Sequence, residues 1–170
     1  MKEISVELAK VEDAAEILEV IKKLGDETIN YPFTSEDYGM DEKSQALFIN
    51  MMDKMENSLF LVAKDKQKIV GIFTLEGGKK YRTYHLANLG IGVLKEYWNK
   101  GIAKKLMSKG LTWAENGEYI GKIDLQVVSE NKVAVDMYKK FGFQVEGRIK
   151  RSLFIDGEFF DYIQMGKEID

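Results

Sequence analysis

The residues best suited to chemistry lie in one run, Val93-Leu94-Lys95-Glu96-Tyr97-Trp98-Asn99-Lys100-Gly101-Ile102-Ala103. An apolar strand ends at Val93, a short turn follows, and a helix opens at a glycine with a small residue two places on. Such a junction aims the unbonded amides of a first helical turn at one spot, and the helix dipole adds partial positive charge there. The guest suited to that spot is a phosphate. Gly101 and Ala103 leave room for a bulky diphosphate to reach the main chain. Lys95, Lys100, Lys104, Lys105 and Lys109 add a local cluster of cations. A plain strand–helix connection with lysines on its outer side reads the same way, so the run by itself leaves both readings open. Two other phosphate loops are excluded. Gly71 to Lys79 resembles a P-loop in composition, but the spacing is wrong and Lys80 follows where Ser or Thr is needed. No Gly-x-Gly-x-x-Gly opens a helix after the first strand.

The elements that must position this run follow from periodicity. Residues 3–9 alternate and predict a short strand. From Glu12 to Leu24, Ala14, Ile17, Leu18, Ile21 and Leu24 recur at helical spacing, with Gly25 as the expected stop. Residues 28–40 lose the periodicity, hold the sole proline, Pro32, and predict a loop; residues 41–56 return to helix. Residues 58–64 and 69–76 are apolar on both faces and predict a buried hairpin turning at Asp65-Lys66-Gln67-Lys68. Residues 83–93 predict a third strand, with Gly90 and Gly92 marking a bulge or a close approach. A helix from about Asn99 to Glu115, a strand over 121–128, a helix over 131–140 and strands over 143–150 and 158–166 complete the chain. The order β-α-α-β-β-β-α-β-α-β-β predicts an α/β (α+β) fold, a mixed sheet with helices on both faces.

Composition bounds the rest. The chain has 170 residues, which predicts one domain over residues 1–170. At 45% hydrophobic and 11% aromatic it can fill a core, so wholesale disorder is excluded. A net charge of −3 argues against nucleic acid as the partner. There is no cysteine and a single histidine, His85, so thiolate ligands, a cysteine nucleophile and a two-histidine metal site are excluded, and no metal is expected. The start, Met1-Lys2-Glu3-Ile4, places charge where a signal peptide needs an apolar run, and no stretch of about 20 apolar residues suggests a membrane span. A cytoplasmic location is the expectation.

The run from Val93 to Ala103 resembles the acetyl-CoA-binding motif of the GNAT superfamily of N-acetyltransferases, a strand ending in Val followed by Gln/Arg-x-x-Gly-x-Gly/Ala opening a helix. Gly101 and Ala103 match, and Val93 stands eight residues before Gly101. Trp98 replaces the Gln or Arg, as aromatic residues do in the branch that includes ribosomal-protein N-terminal acetyltransferases. A second block, Asn131-Lys132-Val133-Ala134-Val135-Asp136-Met137-Tyr138-Lys139-Lys140-Phe141-Gly142-Phe143, is similar to the family's Asn-x-x-Ala-x-x-x-Tyr-x-x-x-Gly-Phe. The blocks are in the right order with one strand between them, and the element order of nearly the whole chain agrees.

The resemblance implies a mostly antiparallel central sheet, acetyl-CoA as cofactor, and transfer of its acetyl group to a primary amine by direct attack in a ternary complex. It implies cofactor contacts at Ile91, Val93, Trp98, Asn99, Lys100, Gly101, Ile102, Ala103, Lys104, Asn131 and Tyr138. In that reading the Tyr138 hydroxyl protonates the departing thiolate, since a free phenol titrates near the range of an alkyl thiol, at about 10. Periodicity alone makes Tyr138 a core aromatic. The Ile91 amide holds the oxyanion, and its alternative is an ordinary bulge. The base stays open. Thr83 to Val93 carries no carboxylate, so His85, a water chain, Glu27 and Glu76 all stand as candidates. A low-pKa α-amino acceptor needs no base.

The acceptor side is expected over Thr28–Met40 and Arg148–Tyr162, where Tyr31, Pro32, Phe33, Tyr38, Phe154, Phe159, Phe160 and Tyr162 offer an apolar wall beside Asp156, Glu158 and Asp161. Gly157 to Asp161 reads equally well as a hairpin turn and strand. The acceptor is a small-molecule amine or a protein N-terminal amine. The C-terminal strands offer an edge on which two copies of the chain can pair as a homodimer. The rival function is a non-catalytic acyl-CoA-binding or sensing module.

Overall fold

The computed structural model describes residues 3–170. Met1 and Lys2, which open the charged start noted above, lie outside the described residues. Seven strands form one sheet: β1 (Ile4–Leu8), β2 (Leu59–Asp65), β3 (Lys68–Gly77), β4 (Leu86–Val93), β5 (Lys122–Val128), β6 (Gln144–Ile155) and β7 (Glu158–Glu168). Their order across the sheet is β1-β2-β3-β4-β5-β7-β6, and every neighbouring pair is antiparallel except β4 and β5. Four helices flank it: α1 (Ala14–Glu27), α2 (Glu42–Lys54), α3 (Ile102–Asn116) and α4 (Lys132–Lys140).

Strand alternation divides the core into two layers. Leu59, Leu61 and Ala63 of β2 pack with Phe73 and Leu75 of β3 against Ile102, Leu106, Met107 and Leu111 of α3. The intervening Phe60 and Val62 point the other way, onto Ile17, Ile21 and Leu24 of α1 and Ile49 and Met52 of α2. Burying side chains such as Ile17 and Leu106 in full contributes about 1.5–3 kcal/mol each. α3 can lie close to the sheet because Gly110 has no side chain: a Cβ there would sit 2.2 Å from the Phe73 ring.

Five sequence expectations need correction. Gly25 does not stop α1, which runs on to Glu27. Instead it admits the following loop, since a Cβ on Gly25 would lie 2.7 Å from the Phe33 carbonyl oxygen and 2.8 Å from its ring. Gly90 and Gly92 form no bulge, because β3 and β4 pair without a break from Gly71↔Val93 to Gly77↔Ala87. The strand expected from residue 83 begins at Leu86, since Tyr81–Thr83 turn as 3-10 helix and leave His85 outside it. The helix expected from Asn99 begins at Ile102, because Asn99 (φ 60°) and Gly101 (φ 76°) are both left-handed. The last two strands are longer than expected and join through Asp156 (φ 50°) and Gly157 (φ 84°), a two-residue turn whose positive φ angles suit the sheet's twist.

Candidate active site

The single parallel pair builds the site. β4 and β5 pair only over Leu86↔Lys122, Ala87↔Ile123 and Asn88↔Asp124. Beyond Asn88, β4 stays with β3 while β5 stays with β7, so a wedge opens between them. The peptide groups that line it follow from alternation. The Leu94 N–H donates to the Val70 carbonyl at 2.9 Å and the Leu86 carbonyl accepts from the Gly78 N–H at 2.8 Å, so even-numbered residues of β4 bond to β3. The Leu89 carbonyl and both the N–H and C=O groups of Ile91 and Val93 therefore turn into the wedge, while the Leu89 N–H closes the last parallel bridge at Asp124.

Two of those carbonyls are already taken. The Trp98 indole N–H donates to the Val93 carbonyl at 2.7 Å, folding the turn back on the strand end. The Tyr31 hydroxyl donates to the Ile91 carbonyl at 2.9 Å. The Ile91 N–H remains directed at the opening, as an oxyanion donor requires.

At the mouth of the wedge, α3 begins. Gly101 is its N-cap in a left-handed conformation, without a side-chain cap. A Cβ there would meet nothing within 4 Å, so the space above it is open. The first-turn amides have no carbonyl of their own helix to bond, and Lys105 is the first residue that does, donating to the Gly101 carbonyl at 3.1 Å. An open space ringed by free amides at a helix N-terminus fits the diphosphate of coenzyme A. The turn is braced from below: Glu96 pairs with Lys23 at 3.2 Å and Lys68 at 3.1 Å, and the Lys95 amide donates to Glu27 Oε2 at 2.8 Å. These partners hold the Glu96 carboxyl below its ordinary pKa, the Lys68 hydrogen bond foremost.

The expected lysine cluster is dispersed. Lys100 lies 4.6 Å over the Tyr97 ring and donates to the Glu96 carbonyl. Lys105 and Lys109 reach across to the carbonyls of Ile4 and Val6 on the edge strand β1. Lys104 lines an open groove of about 560 Å³ between α3 and β1 with Ile4, Val6 and Ser108.

Tyr138 is buried on α4, edge-on to Phe143 at 5.9 Å. The Asn131 side chain begins that helix by accepting from the Ala134 N–H at 3.3 Å. Burial pushes the Tyr138 phenol well above its ordinary pKa, so it holds its proton more firmly than the near-match with a thiol suggested. Tyr31 is displaced upward too, by desolvation first and then by its closeness to Tyr138 and Glu27. Since Tyr31 touches Ile91, these residues share one neighbourhood at the wedge.

Sequence reasoning placed Tyr31 only in an apolar wall and missed its hydroxyl. The sole signal was the aromatic cluster in the loop, where Tyr31, Phe33 and Tyr38 stack in series at 5.6 and 4.7 Å. Of the four candidates for the base, Glu27 lies beside Tyr31. Glu76 pairs opposite Asn88 at the closed end, near Lys79. His85 is set apart: it is exposed, and its carbonyl takes the Gly121 and Lys122 amides at the closed end of the wedge. Six residues of chain separate it from Ile91, roughly 20 Å of strand.

The profile of the acetyltransferase (GNAT) family matches residues 23–143. An L-amino acid N-acetyltransferase of Escherichia coli is 33% identical over 107 residues, 63% of this chain and 66% of that protein. The E. coli ribosomal protein uS5-alanine N-acetyltransferase is 23% identical over 68% of this chain and 60% of its own length. The chain thus spans less than two thirds of these curated relatives. A spermidine N(1)-acetyltransferase of E. coli is 27% identical over 75% of this chain and 70% of its own. Among solved structures, a GNAT-family acetyltransferase from Streptococcus pneumoniae superposes with TM-score 0.94 at 29% identity, covering 98% of this chain and 100% of that one. The Salmonella typhimurium protein yncA, solved with acetyl-CoA, shares the fold at TM-score 0.86 and 16% identity, over 98% of this chain and 94% of its own.

Proposed function

Because the chain belongs to the acetyltransferase (GNAT) family, we propose that it transfers the acetyl group of acetyl-CoA to a primary amine by direct attack in a ternary complex. The observation that carries the reading is the wedge itself, where the free Ile91 amide, the buried Tyr138 phenol and the open helix start at Gly101 converge. The amides from Gly101 to Lys104 hold the diphosphate, with Asn99, Lys100 and Trp98 shaping the turn and Asn131 at the start of α4 beside the cofactor's arm. Acetyl-CoA supplies a thioester whose carbonyl carbon is open to an amine.

The chain's own residues do the rest. The Ile91 N–H holds the carbonyl oxygen as charge develops on it. Tyr138 gives its proton to the sulfur as the C–S bond breaks, and the proton lost by the amine returns to Tyr138 through solvent. One amide and one free thiol result. No cysteine is present to carry the acetyl group, which supports direct attack. The acceptor reaches the wedge from the side of Tyr31, across Asn88 and Gly90, both exposed on β4. Among the described residues no helix is long and apolar enough to cross a membrane.

Thiol formation from acetyl-CoA across a panel of amino acids, polyamines and N-terminal peptides tests the reading. Amine-dependent release is expected. Tight acetyl-CoA binding without release by any amine overturns it and leaves the acyl-CoA-binding module.

A further inference from the structure

We propose that Tyr31 is the group that holds the attacking nitrogen, and that it selects primary over secondary amines. The inference rests on the acetyl-transfer reading above and adds a specificity residue to it. It starts from what Tyr31 does with its one proton. The hydroxyl donates to the Ile91 carbonyl at 2.9 Å, so the hydrogen is committed and only lone pairs remain to face the wedge. The phenol is pressed over Gly92, where a Cβ would come within 2.1 Å of its oxygen and 2.6 Å of Leu24 Cδ1. Its ring packs on Phe33 at 5.6 Å, and Gly25 in turn lets Phe33 sit against α1. The oxygen is therefore fixed in direction as well as in polarity. Desolvation keeps the phenol neutral, so it offers an acceptor that does not become an anion at ordinary pH.

A fixed acceptor beside the Ile91 amide is suited to a donor, and the incoming nucleophile is one. Ile91 then serves both partners: its N–H takes the thioester oxygen and its C=O orients the hydroxyl that takes the amine. The hydrogen count gives the selectivity. A primary amine has two N–H bonds. One proton leaves as the N–C bond forms and the C–S bond breaks, and the other stays donated to Tyr31 through to the amide product. A secondary amine has a single N–H, and that is the one it loses, so its product leaves the Tyr31 oxygen unpaired. A buried acceptor left without a donor is costly.

The test compares a primary amine identified as substrate with its N-methyl analogue, in wild type and in Tyr31→Phe, which deletes only the hydroxyl. Wild type is expected to favour the primary amine by tenfold or more in kcat/KM. Tyr31→Phe is expected to bring that ratio to within about threefold, while acetyl-CoA affinity measured by calorimetry moves less than twofold. A purely structural Tyr31 would lower the melting temperature and slow both amines alike, leaving the ratio where it was, and that result overturns the proposal. Gly92→Ala is the second variant, for use if Tyr31→Phe does not fold, since its methyl displaces the hydroxyl without deleting it. The same collapse of the ratio is expected, and an unchanged ratio overturns the proposal. An active wild type with no primary preference overturns the Tyr31 proposal alone. A wild type that releases no thiol with any amine defeats the acetyl-transfer reading and this proposal with it.

Discussion

The helix start at Gly101 and the loop that carries Tyr31 both reach the open end of β4, but they are built from different materials. The first uses main-chain amides whose directions are set by a strand end, two left-handed residues and a helix. Its side chains are secondary, and the Trp98 indole closes the turn back onto the Val93 carbonyl. The second region is made of side chains on a loop without regular structure. Tyr31 and Phe33 stack on one another there, and Ser35 donates its amide to Asp26 at 2.8 Å, which keeps that carboxyl below its ordinary pKa. One wall can serve any acceptor because it is built from main chain. The other can be re-cut by single substitutions, and it is where the Tyr31 proposal puts specificity.

That contrast can be broken most decisively at Gly101. Gly101→Glu puts a side chain on a left-handed residue, at roughly 1–2 kcal/mol, and a negative charge beside the diphosphate. Acetyl-CoA affinity is expected to fall at least a hundredfold, equivalent to about 2.7 kcal/mol. An unchanged calorimetric titration would remove the diphosphate from this turn. Next is Tyr138→Phe, for which turnover is expected to fall by about 10²-fold with acetyl-CoA affinity nearly unchanged. Equal losses in both would make Tyr138 a packing residue.

A smaller effect follows from the two raised phenols. Folded Tyr31 and Tyr138 keep their protons at pH values where the unfolded chain, titrating near 10, loses them. The unfolded state then binds fewer protons, so stability is present in full below about pH 10 and falls as pH rises beyond it, by up to about 1.4 kcal/mol per pH unit for each phenol. Melting curves from pH 8 to 11.5 measure this, and Tyr138→Phe should flatten the decline. The least effect is expected from His85→Ala, whose kcat and KM should stay within twofold of wild type. A large loss of turnover there would place the chemistry at the closed end of β4.

Regular structure was largely legible in the sequence because buried faces repeat. Ile17, Leu18, Ile21 and Leu24 announced α1, and Ala134 and Tyr138 announced the inward face of α4. The Val93–Gly101–Ala103 spacing stood out through its resemblance to a family motif, and the fold adds the left-handed Gly101 that opens α3 without a side-chain cap. Long-range contact was not legible. Gly25 resembled a stop signal, and only the folded chain shows Phe33 lying across it. His85 is a candidate base as the one histidine, and only the fold shows that it lies just outside β4, which begins at Leu86. Tyr31 gave no periodic signal, because its hydrogen bond crosses 60 residues of chain.

Lys105 and Lys109, laid along the outer carbonyls of β1, have a consequence for self-association. A strand from another molecule docking at that margin would have to displace two ammonium groups and leave them without their carbonyl partners, so the β1 margin is guarded against edge-to-edge pairing.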